Sequence, residues 1–280
     1  MKKWLIVGLI LSLLIISSCK DQASESLTLV VIPSEESKAT KECFTPFVDY
    51  LSQELGMEIH LLLVADYTAV IEAMKYGYAD IARFGPFSYV LATQEADVEA
   101  IAAGVKANTG QATYHALIIA KSDSGIASIE DLDGATFAYV DISSTSGYLL
   151  PATQFKLRDV EPSEVLFAGS HPAVIEAVRN GSVDAGAIAD NRWYTALAEG
   201  VIEEGELDII WESDPVPNIP ITVRKSMDSE LKAKLLQALL AVPPEIIEAQ
   251  GVNEIGYAKI FDSDYDVIRE VQEYLGLTSD

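Results

Sequence analysis

From Tyr139 to Pro151 the chain reads YVDISSTSGYLLP. A strand-like run, Thr136 to Val140, ends in Asp141; the hydroxyl residues Ser143, Ser144, Thr145 and Ser146 follow, and Gly147 then opens an apolar segment of helical character. The first four N–H groups of a helix lack intrahelical partners, and with the helix dipole they favour a bound anion. Hydroxyls at that end add donors, and Gly147 permits close approach of the backbone. One such residue is enough to cap a helix, and Ser144, Thr145 and Ser146 exceed that need. The segment is read as an uncharged anion cradle that works without lysine or arginine.

Ser144 or Ser146, with His171 and Asp190, are also the residue types of a hydrolytic triad. The strained G-x-S-x-G turn that exposes a nucleophilic serine is absent, and a run of hydroxyls suits oxygen binding better than one activated nucleophile. The reading is therefore a binding protein and not an enzyme. His60, His115 and His171 are the only histidines. With no Cys/His cluster, neither a metal nor a cofactor is expected.

Composition narrows the partners. The 280 residues carry 19 basic and 43 acidic side chains, a formal net charge of −24. A nucleic-acid partner is excluded, because the basic patch that phosphate backbones need cannot easily be assembled. An anion site must work against the global field through short-range donors.

The elements that position these residues alternate between strand and helix. LTLVVIP (27–33) and MEIHLLLV (57–64) read as strands around a helix at 44–56 closed by Gly56. A helix follows over 66–80 with Asp66 as its cap, then a short strand, a Gly-Pro turn and another helix. YHALIIAK (114–121) is a strand, and SGYLLPATQFKL is helical, interrupted or bent near Pro151. VLFAGSHPAVIEAVRNGSVDAGAIAD (165–190) reads strand, loop, helix, strand. Residues 207–225 form a strand, a Pro-rich crossing and a strand, and the remainder has a helical pattern. This alternation argues a parallel-rich α/β protein. DYTAVIEAMKYGYADIARFG and SHPAVIEAVRNGSVDAGAIA resemble each other, as expected of two similar lobes.

The N-terminus has a secretory pattern. Lys2 and Lys3 precede an apolar run from Trp4 to Ile16, then Ser17, Ser18 and Cys19. IISSC resembles a lipobox, so residues 1–19 are expected to be a lipoprotein signal peptide with Cys19 the lipidated residue, and residues 20–27 a tether. Cys43 is then alone, cannot form an internal disulfide, and is expected to be a buried small hydrophobe.

DYTAVIEAM, GPFSYVLA, YHALIIAKSDSGI, STSGYLLP, AGSHPAVIEAV and VDAGAIAD together resemble the phosphonate, phosphite and phosphate solute-binding proteins of ABC importers. STSG after a strand, with the downstream AGSH, is the most specific part. The resemblance implies a two-lobed type II periplasmic-binding-protein fold with ligand between the lobes: residues 28–116 and 221–280 in lobe 1, 117–220 in lobe 2. It implies that Ser144, Thr145, Ser146 and His171 contact a small phosphorus oxyanion, with Tyr67 and Tyr114 closing the cleft. It also implies a monomer whose partners are an ABC permease and, through the lipid anchor, the membrane. Asp190 is expected to accept a P–O–H hydrogen and so to reject sulfate. Members that take aminoalkylphosphonates place carboxylates where Asn191 and Ile219 stand here. A smaller ligand is therefore expected, with phosphite and methylphosphonate slightly ahead of phosphate. A sulfonate or vitamin precursor on the same fold, or an anion-sensing lipoprotein, is the alternative.

Overall fold

The computed structural model describes residues 26–32, 37–251 and 253–277. The signal segment and Cys19 lie outside the described residues. The first part of the chain runs β1 (Leu27–Val31), α1 (Ser37–Leu55), β2 (Ile59–Leu63), α2 (Tyr67–Lys75), β3 (Ile81–Arg83), α3 (Pro86–Glu95) and β4 (Val98–Lys106). After the short β5 (Thr113–Tyr114) come β6 (Ala116–Lys121), β7 (Thr136–Tyr139), a π-helical turn (Thr145–Leu149), α4 (Leu150–Arg158), β8 (Glu164–Phe167), α5 (His171–Arg179), β9 (Ala185–Ala189), α6 (Asp190–Ala198) and β10 (Leu207–Glu212). The chain returns through β11 (Val216–Pro217) and β12 (Pro220–Arg224), then α7 (Ser229–Leu240), α8 (Pro244–Ala249), β13 (Glu254–Lys259) and α9 (Asp266–Leu275).

Two sheets result. One has the order β13-β4-β12-β3-β1-β2, the other β10-β6-β9-β7-β8, and the β5–β11 ribbon lies between them in the chain. The expected parallel-rich character is corrected: β1 pairs in parallel with β2 and β3, and β7 with β8 and β9, but β12 and β13 run antiparallel to β4, and β6 antiparallel to β9 and β10. β12, coming back to the first sheet after the excursion, enters it from the opposite end. β13 also corrects the expectation of an all-helical end, and its partner β4 had not been read as a strand.

Period-two alternation builds both cores. Leu29 and Val31 face one side of the first sheet against Phe47, Leu51 and Leu235, while Val30 faces the other with Phe84, Tyr89 and Tyr265. In the second sheet Leu117 and Ile119 pack with Val174 and Val178, and Ile118 with Phe137 and Phe155. Each such buried side chain contributes roughly 1.5–3 kcal/mol. Cys43 is only partly buried, at the rim of the α1 core.

The two similar segments fall one in each sheet system, as α2–β3 and α5–β9. Each helix is capped by the side chain just before it: Asp66 accepts from the Ala69 N–H and Ser170 from the Ala173 N–H. The expected irregularity near Pro151 is a change from the π turn to α4 between Leu149 and Leu150. Pro151 sits in the first turn of α4, where its missing N–H is not needed.

Candidate ligand-binding site

The ends of several elements meet around one cavity of about 60 Å³ between the sheets. Its walls are the N-terminal ends of five helical segments. Tyr67 opens α2, Gly85 and Pro86 open α3, Ser144, Thr145 and Ser146 open the π turn, His171 opens α5, and Asn191 and Arg192 lie in the first turn of α6. Orphan N–H groups and positive dipole ends therefore converge on one small volume. That volume is several times the ~10–15 Å³ one water needs, and far below the ~300–1,000 Å³ typical of drug-sized ligands.

The hydroxyl run is packed from the other lobe. The Phe87 N–H, in the first turn of α3, donates to Thr145 Oγ1 at 2.8 Å. The Tyr67 hydroxyl stands beside Ser144, and that of Tyr114 beside Thr145 and Ser146. Burial, the largest influence, pushes both tyrosines above the usual phenol range, so each stays a neutral hydroxyl. Register places Tyr114: it pairs with Val216 in the ribbon. Gly147 is required by space: a Cβ would lie 2.5 Å from Val140 Cβ and 2.9 Å from Ser144 Oγ. Its N–H donates to Ser144 Oγ at 3.1 Å.

His171 Nδ1 accepts the Ala189 N–H at 3.3 Å. That bond fixes the neutral tautomer with the hydrogen on Nε2, a donor suited to an anion. Burial, and then the Arg192 charge, lowers its pKa to about 3. No Ser-His-Asp relay is assembled, because His171 Nδ1 faces a backbone amide and not Asp190.

Asp190 is not where the sequence reading put it. It does not line the cavity. Its carboxylate pairs with Lys106 Nζ at 3.3 Å, and both are buried. Asp190 begins α6 directly after β9, and its N–H donates to the His115 carbonyl. This turns the side chain toward the end of β4 instead of the ligand space. Burial lowers the pKa of Lys106, against the pull of Asp190 and Glu254.

The cavity is not free of cationic side chains either. Arg83 and Arg192, each 8% exposed, both line it. This corrects the expectation of a cradle working without arginine. Arg83 ends β3, opposite Ile221 of β12, with its guanidinium 3.7 Å from Glu254 and over the Phe44 ring. Asn218 Nδ2 in turn donates to Glu254 Oε1 at 2.9 Å and to the Gly104 carbonyl at 2.8 Å. Among the lining residues there is no carboxylate. A chain of net charge −24 thus encloses a locally positive site.

A family model for the ABC-transporter phosphonate periplasmic substrate-binding proteins matches residues 29–265. The chain belongs to that family. Its place is outside the cytoplasm, as the substrate-binding component of an ABC transporter. It is 28% identical over 278 residues to the phosphate-import protein PhnD of Mycolicibacterium smegmatis, covering 90% of this chain and 86% of that one. It is similar to the binding protein of an ABC phosphonate transporter from Pseudomonas aeruginosa, with a TM-score of 0.80 and 27% identity over 88% of this chain and 85% of that one. PhnD1 of Prochlorococcus marinus, solved with methylphosphonate, shares the fold with a TM-score of 0.83 and 20% identity, covering 91% of this chain and 100% of that one. The two-lobed periplasmic-binding-protein fold is therefore that of this chain.

The structure brings Tyr67, Tyr114, Ser144, Thr145, Ser146 and His171 to one cavity and leaves Asp190 behind its wall. Asn191 and Ile219, noted in sequence only as replacements for carboxylates, both line it. Arg83 and Arg192 were missed. The signal for Arg192 was its place three residues into a segment that begins right after a small-residue strand, where a helix N-terminus was already expected.

Proposed function

We propose that this protein captures a small phosphorus oxyanion in the interlobe cavity and presents it to its permease. The observation that carries the reading is the convergence of helix N-termini, hydroxyls, the His171 donor and two arginines on a space of about 60 Å³. Charge-assisted hydrogen bonds of this kind are worth about 1.5–3 kcal/mol each. The phosphate named for the mycobacterial relative and the methylphosphonate bound by the Prochlorococcus protein are of that chemical class.

Aminoalkylphosphonates fit poorly. Their ammonium would meet Arg83 and Arg192 with no lining carboxylate to oppose it. Ile32, Phe84 and Ile219 give the same cavity an apolar side, which accepts a P–H or P–CH₃ group without leaving a fourth oxygen unsatisfied. This favours phosphite and methylphosphonate over phosphate. Titration calorimetry on protein lacking residues 1–19, against phosphite, methylphosphonate, phosphate, aminoethylphosphonate and sulfate, tests the reading. Binding of phosphite or methylphosphonate ahead of the others supports it; heat from none of the phosphorus ligands refutes it.

The lobes are proposed to divide at the ribbon, with 28–116 and 221–280 forming one and 117–220 the other, although α9 also packs against α4 across that division. The mature chain is proposed to be a monomer held to the membrane by lipid on Cys19, on the strength of the IISSC motif. Cys19→Ala should move the protein from the membrane fraction to the soluble fraction of cells; retention in the membrane fraction would remove the anchor.

A further inference from the structure

We propose that Asn191 reads the protonation state of the ligand: its Oδ1 accepts the P–O–H hydrogen of a monoprotonated phosphorus oxyanion, so the cavity takes the monoanion in preference to the dianion or to sulfate. This rests on the reading of the cavity as a phosphorus-oxyanion site and deepens it.

Asn191 is 4% exposed, lies in the first turn of α6 and lines the cavity. Its Oδ1 is buried and has no hydrogen-bond partner within the protein. A buried acceptor left unpaired costs free energy, so a ligand donor there would be favourable. Three other side-chain acceptors on the wall are already engaged. Thr145 Oγ1 takes the Phe87 N–H, Ser144 Oγ the Gly147 N–H, and Asn218 Oδ1 the Ile219 N–H.

The rest of the wall suits ligand oxygens that carry charge. Arg83, Arg192 and the Nε2–H of His171 can only donate. A fully deprotonated ligand would find these donors but would set an oxygen lone pair against Asn191 Oδ1. A ligand with one P–O–H satisfies both kinds of group. Sulfate has no such hydrogen near neutral pH. The role expected of Asp190 thus passes to its neighbour, which is neutral and therefore does not repel the anion as a carboxylate would.

The charged and titratable groups around Asn191 do not supply a competing pH response near neutrality. From α6 and β3 come Arg192 and Arg83, permanently charged. His171 on α5 is held neutral, with its pKa lowered to about 3. Tyr67 on α2 and Tyr114 in the ribbon are raised above the usual phenol value. Behind the wall stand Lys106, paired with Asp190, and Glu254, beside Arg83. Burial lowers Lys106 from its usual value, and its contribution is common to wild type and to any Asn191 variant. The ligand's own proton is then what titrates.

The test is calorimetric titration with phosphite and with sulfate from about pH 5 to about pH 8, the range that spans ordinary ligand and imidazole titration, on wild type, Asn191→Leu and Asn191→Asp. Wild type should bind phosphite more weakly as pH rises through the ligand's second ionisation, and sulfate at least about tenfold more weakly than phosphite. Asn191→Leu should lose about tenfold in phosphite affinity at the acid end, and its phosphite-to-sulfate ratio should shrink by a similar factor. Asn191→Asp keeps an acceptor and should keep the preference for the protonated ligand, which provides a reading even if the leucine variant does not fold. Wild-type affinity that is level or rises with pH overturns the proposal, as does an unchanged phosphite-to-sulfate ratio in Asn191→Leu, or sulfate binding to Asn191→Asp as tightly as phosphite. Those outcomes leave oxyanion capture standing. Failure of wild type to bind phosphite at any pH overturns the oxyanion reading itself, and this proposal with it.

Discussion

The Phe87 backbone N–H donates to Thr145 Oγ1 over 2.8 Å. The donor belongs to the first turn of a helix packed on the first sheet, and the acceptor to the hydroxyl run that follows β7 in the second. Ser144 meets Tyr67 and Ser146 meets Tyr114 along the same seam. The hydroxyls are therefore more numerous than a cap needs: they line the cavity, and they join the two sheets beside it.

Thr145→Val keeps the branched side chain but removes the acceptor. It leaves the Phe87 N–H without that partner, so affinity for phosphite or methylphosphonate should fall about tenfold or more. Thr145→Ser should recover most of the loss. Calorimetry on both variants checks this; equal affinity in Thr145→Val and wild type would remove Thr145 from the seam's function.

Arg192 should matter as a guanidinium and not only as a charge. Arg192→Gln is expected to weaken oxyanion binding by about ten- to a hundredfold. Arg192→Lys should restore little of it, because a lysine cannot reproduce the planar fork. Restoration of wild-type affinity by lysine would show that the site needs only positive charge.

The Lys106–Asp190 pair predicts a stability effect. Asp190→Leu or Lys106→Met alone strands a buried charge and should cost about 3–5 kcal/mol, whereas the two combined should be much closer to wild type. Urea denaturation of the four proteins gives the coupling directly. Additive losses would mean that the two groups do not interact.

Much of this arrangement could be read from the sequence, and the limits are physical. The hydroxyl run at a helical start and the Asp66 cap were legible because capping is local: the donors lie within three residues of the acceptor. The two-lobe reading came from the repeated A-V-I-E-A segment, whose copies place Tyr67 and His171 at equivalent helix starts. Arg83 was not legible, since strand pairing with β12 and the Asn218–Glu254 contact bring it to the cavity from far along the chain. Asp190 and Asn191 are adjacent, and nothing local states which of them turns inward. The partner that decides it, Lys106, lies on another strand. The π turn was also hidden; within it Gly147 comes close to Val140 of the preceding segment.

Gly147→Ala should therefore do more than a typical glycine substitution. Its Cβ would sit 2.5 Å from Val140 Cβ, and overpacking of this kind costs about 1–3 kcal/mol. Thermal unfolding should drop by several degrees, about 2–4 °C per kcal/mol for a chain of this size. An unchanged transition would show that the turn can relax.

His171 gives a pH prediction with a definite sign. Its pKa is lowered to about 3 in the folded protein by burial and by Arg192, against about 6.5 when unfolded. Between those values the unfolded chain binds the extra proton, so stability falls as pH drops through that window and is unaffected by this group above it. His171→Gln should flatten the acid limb of the stability curve. An imidazole that titrates near its ordinary value in the folded protein, seen by NMR, would contradict the enclosed, neutral donor.

The most direct measurement is a crystal structure grown with methylphosphonate. Its phosphonyl oxygens should lie within hydrogen-bond reach of Ser144, Thr145, Ser146 and the Nε2 of His171, with Arg83 or Arg192 completing the shell and the methyl group toward the apolar wall. Methylphosphonate bound outside the interlobe cavity, or a cavity holding only water at saturating ligand, would contradict the account.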